Sequence, residues 1–339
     1  MLERCASATR RAFPALLALI LAGCFPYSCN RSESRALMPA DSLSRSLADA
    51  MPVDTLEVLN VPDLLGAEYP RTVAFAPDGT LWVADTGAQR LYAIFGGSLI
   101  RTVELDTLRY PYIAGFRDGE PVVFSPDAGR IVALAGGLNL LTPDDVAPRT
   151  LQYVAVGDSL VWVKLAGQEY DSRALLLAAD GSELARVPLP DPWWRWAGAL
   201  RLHRGQPVSL SGYRPQFYVL AESGIDSTAL VGFDSPMLPR SRAFLRGETH
   251  QPPLLSSSAA FLGDALWTLN VRPGWLRVDV FGGDGHLSRI LVEPNPAFGK
   301  EFYPTDIAVR ADSLGGVLLA VTVAEPVAGV RLYRAAASR

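Results

Sequence analysis

Histidine, whose neutral ring binds metal ions and whose pKa lies close to neutrality, is scarce in this chain. There are three, His203, His250 and His286, and no two of them stand at the spacing of a zinc-binding motif. The predicted strands place the first at a strand end, the second in a long loop and the third in a hairpin turn. We therefore predict surface histidines, with no metal site and no cofactor.

The sequence Gly157-Asp158-Ser159-Leu160 spells the signature of the GDSL hydrolases. A true resemblance to that family would imply a serine nucleophile in an α/β fold and a late Asp-x-x-His, and the sequence contains no Asp-x-x-His. The motif also falls between two apolar runs, where a hairpin turn is expected. We interpret it as a turn and predict no catalytic residue.

Tryptophan, tyrosine and arginine point to binding rather than to catalysis. The stretch LPDPWWRWAG, residues 189–198, carries three tryptophans. Aromatic and arginine side chains dominate binding hot spots, and aromatic rings also form platforms for sugars. The predicted binding face comprises Arg71, Tyr112, Trp193, Trp194, Trp196, Tyr213, Arg214, Trp275 and Asp306. The alternative, that these rings pack between sheets and shield a channel, stays open.

The residues of the predicted binding face must be positioned by β-strands. Short apolar runs separated by Gly, Pro and Asp-Gly, which are typical of strands and turns, fill the chain from residue 53 onward. A strand-and-turn unit recurs, with predicted second strands beginning near 80, 120, 159, 206, 265 and 317. The first two intervals are about 40 residues long, which is typical of a four-stranded propeller blade. We predict an all-β chain that forms a six-bladed β-propeller over residues 53–339.

The segment PDGTLWVADTGAQRLYAIF, residues 77–95, resembles an NHL repeat, and the chain is similar to six-bladed propeller lipoproteins built from such repeats. The sequence departs from the family pattern at Ala88, where the family commonly has Asn. The resemblance implies that Asp85 and Arg90 form a structural pair that braces the loop between the second and third strands. Anion binding by such arginines is the alternative.

The last unit supplies three strands, so a fourth must come from elsewhere. The segment TLEVLNV, residues 55–61, has the composition of a strand. We predict that this N-terminal strand closes the last blade and protects its open edge. Deletion of residues 53–62 is then expected to unfold the protein or to make it aggregate.

The N-terminus has the features of a targeting segment. Basic residues precede a short apolar run at residues 13–22, too short to span a bilayer, and the run leads to Leu21-Ala22-Gly23-Cys24. This sequence resembles the lipobox of bacterial lipoproteins, which implies cleavage before Cys24 and lipidation of its sulfur. We predict a signal peptide at 1–23, a lipidated cysteine with a flexible tether at 24–52, and a bacterial envelope location. Phe25 favours the outer membrane over the inner.

The net charge of −4 gives no electrostatic case for nucleic acid. We predict a monomeric, membrane-anchored binding or scaffold module whose ligand is a protein or a carbohydrate. The alternative is a metal-dependent hydrolase or lactonase, since gluconolactonase-type propellers hold a divalent cation with Glu, Asn and Asp; Asn270, Asp306 and Glu68 are the nearest candidates. A purely structural envelope protein is a third possibility.

Overall fold

The computed structural model describes residues 41–142, 150–167, 171–272, 274–293 and 304–336. A helix, α1 (Asp41–Ala50), comes first, followed by two short strands, β1 (Val53–Thr55) and β2 (Glu57–Leu59). The strands that follow form antiparallel meanders, with four strands in each of the first five and three in the last, and we call each meander a blade. Cys24 lies outside the described residues, as do the signal peptide and the tether as far as residue 40.

The first three blades follow in chain order. Blade 1 contains β3 (Pro70–Phe75), β4 (Leu81–Asp85), β5 (Arg90–Phe95) and β6 (Ser98–Glu104). Blade 2 contains β7 (Tyr112–Arg117), β8 (Glu120–Ser125), β9 (Arg130–Ala133) and β10 (Asn139–Leu141). Blade 3 contains β11 (Leu151–Val156), β12 (Val161–Ala166), β13 (Arg173–Leu177) and β14 (Glu183–Pro188).

A short 3₁₀ helix (Trp193–Trp196) leads into the remaining blades. Blade 4 contains β15 (Leu200–His203), β16 (Gln206–Leu210), β17 (Gln216–Ala221) and β18 (Gly224–Ala229), and it is followed by a helix, α2 (Leu238–Leu245). Blade 5 contains β19 (Ser256–Leu262), β20 (Ala265–Asn270), β21 (Arg277–Phe281) and β22 (Leu287–Val292). Blade 6 contains β23 (Pro304–Ala311), β24 (Val317–Val323) and β25 (Gly329–Ala335).

Turn chemistry sets the strand boundaries in blade 1. Asp78 accepts hydrogen bonds from the backbone N–H of Thr80 at 2.8 Å and from its hydroxyl at 2.9 Å, while Gly79 adopts a positive φ of 91°. The chain therefore reverses between β3 and β4.

The predicted second strands of the blades agree with the observed ones. The starts predicted near 80 and 159 correspond to Leu81 and Val161, and the other four predicted starts coincide with observed starts.

The blades are arranged in a ring. Their first strands contact one another in a closed cycle that runs from β3 through β7, β11, β15, β19 and β23 back to β3. Apolar clusters fill the spaces between neighbouring blades, so every residue of β4 and of β12 is buried. Burial on both faces explains why these strands are almost continuously apolar. The predicted all-β, propeller-type architecture is confirmed.

The N-terminal strands join two blades. In β2, Leu59 pairs with Leu332 of β25 in antiparallel register, which gives blade 6 its fourth strand from the other end of the chain. The predicted closing strand is therefore present, over 57–59 rather than 55–61. The sequence did not predict β1, which pairs in parallel with β22 as a fifth strand of blade 5. Leu56, between β1 and β2, is buried.

Two segments outside the blades contain helices; the sequence allowed a short helix at 41–50, through Leu43 and Leu47, and predicted a long loop at 234–253. Residues 41–50 of the predicted tether form α1, and beyond its end Met51 packs with Ala48 against the core between blades 4 and 5. The loop at 234–253 contains α2, which begins with Leu238-Pro239. No helix within the described ranges is both long enough and apolar enough to cross a membrane.

Candidate functional site

A cavity of about 260 Å³ opens among the first strands of blades 1 to 4. We call it the Arg71 cavity. It is lined by Arg71, Thr72, Tyr112, Ile113, Ala114, Phe124, Pro126, Thr150, Leu151, Gln152, Tyr153, Val154, Leu200 and Arg201. Two arginines and two tyrosines face it together with apolar side chains, and the described lining contains no carboxylate. Its size is slightly below the usual range for pockets that hold drug-sized molecules, so it suits a small ligand.

Arg71 is held by aromatic rings rather than by an acid. It follows Pro70 at the start of β3, and its guanidinium carbon lies 5.7 Å from the centre of the Tyr69 ring and 5.6 Å from that of Tyr112. The side chain is exposed, and it has no ion pair among the described residues. Cation–π contacts orient the guanidinium but leave its hydrogen-bond donors available. The structure thus brings together Arg71 and Tyr112, two members of the predicted face.

Arg201, which lines the cavity from blade 4, is held by a hydrogen-bonded network that reaches blades 1, 5 and 6. Its Nη2 donates to Asp306 of blade 6 at 2.6 Å and to the Ser258 hydroxyl of blade 5 at 2.9 Å, and its Nε donates to a backbone oxygen of β19. Asp306 also accepts the N–H of Val73 at 3.0 Å and a short hydrogen bond from Ser258. The carboxylate therefore braces three other blades and does not line the cavity.

Tyr153 links the cavity to a buried lysine. Its hydroxyl accepts the N–H of Gly198 at 3.1 Å, and its ring lies 4.2 Å from Lys164 Nζ. That amine donates to the Gly198 carbonyl and to the Ser209 hydroxyl, both at 2.8 Å. Burial lowers the pKa of Lys164 well below its usual value, and the charge of Arg201 lowers it further. Burial raises the pKa of Tyr153.

Gly198 must remain glycine, because a Cβ there would lie 2.1 Å from a backbone oxygen of Leu210.

The tryptophans of the 3₁₀ helix are separated by the fold. Trp196 is buried, donates from Nε1 to the Pro190 carbonyl at 2.8 Å and packs at a tilt against the Tyr218 ring in the core between blades 3 and 4. For this residue the packing alternative is correct. Trp194 instead covers Arg214, whose guanidinium carbon lies 4.6 Å from its ring centre.

The remaining members of the predicted face are not part of the cavity lining. Trp193 and Tyr213 are half-buried, whereas Trp275 is 54% exposed. Of the nine predicted residues, Arg71 and Tyr112 thus line the cavity, Trp194 and Arg214 contact each other, Asp306 forms the channel brace and Trp196 lies in the core. Burial raises the pKa of Tyr213.

The predicted ion pair between Asp85 and Arg90 does not form. Asp85 is fully buried and accepts four backbone N–H groups, from Glu68, Tyr69, Gly87 and Ala88, at 2.8–2.9 Å. Arg90 pairs with Glu104 of β6 instead, at 2.7 Å. The strand register explains the difference, since Arg90 lies directly opposite Glu104 on the neighbouring strand. Asp85 alone braces the loop.

The residues considered for catalysis or metal binding lie apart. Asn270 donates to Asp279, Asp306 is engaged with Arg201, and Glu68 is exposed. Within the described ranges no three His, Cys, Asp or Glu side chains converge on a metal position. Gly157-Asp158-Ser159-Leu160 forms the turn between β11 and β12, as predicted.

The histidines do not lie together. His203 stacks on Phe261 at 4.4 Å and is only 23% exposed, so it is not the surface residue that the sequence suggested. His286 is paired with Asp284 at 3.2 Å, and His250 is exposed.

Sequence reasoning missed Arg201, Tyr153 and Lys164. Arg201 contacts Asp306 across 105 positions of the sequence, a separation that no local pattern reveals. Lys164 did carry a signal, because it interrupts the apolar run VWVKLA of a strand that is buried throughout. A lysine inside such a strand marks an internal amine that needs acceptors.

No family model and no curated protein matches the chain. Solved structures do match. They include virginiamycin B lyase from Staphylococcus aureus (TM-score 0.49, 14% identity, 82% of this chain and 87% of that one). They also include the calcium-binding protein regucalcin from Agrobacterium tumefaciens (0.49, 15%, 84% and 95%) and glutaminyl cyclase from Myxococcus xanthus (0.40, 10%, 83% and 96%). These are propeller-type proteins, and at such identities the similarity concerns the fold alone.

Proposed function

We propose that the protein is a binding module that takes a small acidic ligand, of the size of a sugar acid, into the Arg71 cavity. The observation that carries the proposal is an exposed guanidinium held between two tyrosine rings at a cavity whose described lining contains no carboxylate. An arginine in that state has free donors in a planar fork that matches a carboxylate.

The rest of the lining supports a small ring-shaped ligand. Tyr112 and Tyr153 present aromatic surface, and Gln152 and Thr150 add polar groups to the lining. The buried Gln152 Oε1 has no hydrogen-bond partner among the described residues. A ligand hydroxyl would satisfy it, and a buried acceptor left unpaired is otherwise costly.

Calorimetry with glucuronate as the probe and glucose as its neutral counterpart tests this function. We expect saturable binding of glucuronate and none of glucose, because the carboxylate supplies the partner of Arg71. The variant Arg71→Met should bind glucuronate at least tenfold more weakly, whereas Arg101→Met, which removes an arginine paired with Glu120 on the surface, should bind as the wild type does. Absence of glucuronate binding, or equal binding by Arg71→Met, would refute the proposal.

We further propose that the module is an NHL-like lipoprotein, anchored through Cys24 to the bacterial envelope. The support is the Leu-Ala-Gly-Cys sequence after a short apolar run. Two or three acyl chains give stable anchoring, since each buried CH₂ contributes about 0.8 kcal/mol.

Fractionation of cells that express the wild-type protein and Cys24→Ala tests the anchor. The wild type should sediment with membranes and carry a lipid mass on its N-terminal peptide. Cys24→Ala should lose the lipid and leave the membrane fraction. A mature protein that begins at another residue would contradict the proposal.

A further inference from the structure

Arg214 is a buried arginine without a counter-ion among the residues that the structure describes. It lies in the loop between β16 and β17, and its side chain is 1% exposed. Its Nε, Nη1 and Nη2 are all buried, and none has a hydrogen-bond partner in the part of the chain that the structure describes. A guanidinium remains charged at any ordinary pH, and burial of an unpaired charge is strongly unfavourable.

Aromatic rings enclose this charge. The Trp194 ring lies 4.6 Å from the guanidinium carbon of Arg214, and the edge of Phe244, from α2, meets Trp194 with 5.1 Å between ring centres. Tyr218 is a further aromatic neighbour, and it raises the pKa of Arg214. A cation–π contact compensates for only part of the lost hydration, because it satisfies none of the five N–H donors.

A second arginine adds to the positive charge. The guanidinium of Arg195 lies 6.0 Å from the Tyr218 ring, and its buried Nε has no hydrogen-bond partner among the described residues. Burial lowers the pKa of Arg214, and the neighbouring charge of Arg195 lowers it too. Among the described residues, the groups that act on the pKa of Arg214 are thus Arg195, which lowers it, and Tyr218, which raises it, with no acid among them.

We propose that this cluster of Trp194, Arg195, Arg214, Tyr218 and Phe244 is a second binding site, for a carboxylate carried on an apolar group. The two carboxylate oxygens would accept a pair of parallel hydrogen bonds from Arg214, the geometry that guanidinium groups favour. The rings of Trp194 and Phe244, which are in contact, would separate to admit the ligand. The apolar portion of the ligand would then pack between these two rings. A carboxylate on an apolar ring fits this site better than inorganic phosphate, because the walls around the cation are mainly ring surface.

The site is independent of the Arg71 cavity, with which it shares no residue. Thermal shift and calorimetry with benzoate as the probe test it, with benzamide as the neutral counterpart and inorganic phosphate as the alternative anion. All measurements are made in the Arg71→Met background as well as in the wild type, so that binding in the Arg71 cavity does not contribute.

We expect benzoate to bind in both backgrounds, to raise Tm, and to bind at least tenfold more weakly when Arg214→Met is introduced. Benzamide should not bind, and phosphate should bind more weakly than benzoate. Ligand-free Arg214→Met should melt at or above the wild-type Tm, because it removes an uncompensated charge and keeps an apolar side chain of similar length.

Three results would each overturn the inference. One is an absence of saturable benzoate binding in the Arg71→Met background. Another is unchanged benzoate affinity in Arg214→Met. The third is a clear fall in the Tm of ligand-free Arg214→Met, which would show that Arg214 supports Trp194 structurally instead of awaiting an anion.

Discussion

Leu56 provides a direct test of how the ring closes. It stands between β1, in blade 5, and β2, in blade 6; its N–H donates to the Val292 carbonyl at 2.8 Å, and its side chain is 1% exposed. It packs in the core that these two blades share. Leu56→Ala removes buried methyl groups and leaves a cavity, which costs about 3 kcal/mol for a leucine at a buried site.

In a domain of this size that loss lowers Tm by roughly 6–12 °C, which differential scanning calorimetry resolves easily. Val58→Ala is the matched control, because Val58 lies two residues further along and is 52% exposed. We expect the control to change the free energy of unfolding by less than about 0.5 kcal/mol. If Leu56→Ala melted together with Val58→Ala, the N-terminal strands would not be stabilising the ring.

Three further results are expected. Asp306→Asn should lower the free energy of unfolding by about 3–5 kcal/mol, because it leaves Arg201 without its ion-pair partner. The double variant Asp306→Asn with Arg201→Met should be less destabilised than the sum of the two single variants. Additive effects of the two substitutions in urea unfolding would contradict the brace. The free energy of unfolding of Lys164→Met, relative to that of the wild type, should be higher at pH 7 than at pH 10. The reason is that the folded-state pKa of Lys164 is lowered, so below about pH 10.4 the unfolded chain binds the extra proton and the wild type loses stability. A pH-independent difference would contradict this. Deletion of residues 53–62 should produce aggregation on expression, measured by sedimentation, since it exposes the edge of β25.

Local sequence patterns predicted the four strands of blade 1 but not β1. Asp78 and Gly79 specify a tight turn whatever surrounds them, and the apolar alternation on either side gives β3 and β4. The same reasoning could not distinguish Trp194 from Trp196. Both belong to one 3₁₀ turn, and only the tertiary fold determines that one ring enters the core while the other covers Arg214.

The candidate sites needed distances that the sequence does not contain. Arg71 and Tyr112 were predicted to share a face because each begins a first strand, and that inference requires only the repeat. The contact between Arg201 and Asp306 depends on how blades meet across the ring. The pairing of Arg90 with Glu104 depends on the register of β5 with β6, which apolar spacing fixes only approximately.

The pairing of Leu59 with Leu332 also sets the order of events during synthesis. Until β25 leaves the ribosome, β2 has no partner in its own sheet, and each shorter nascent chain exposes unpaired strand edges beside unfinished blades. Earlier blades can form one by one as they emerge, yet the circle is completed in a single late step between the two extremes of the domain. Such a long-range step is slow and exposed to misassembly, so a premature stop before β25 would leave an open, association-prone chain rather than a smaller stable domain.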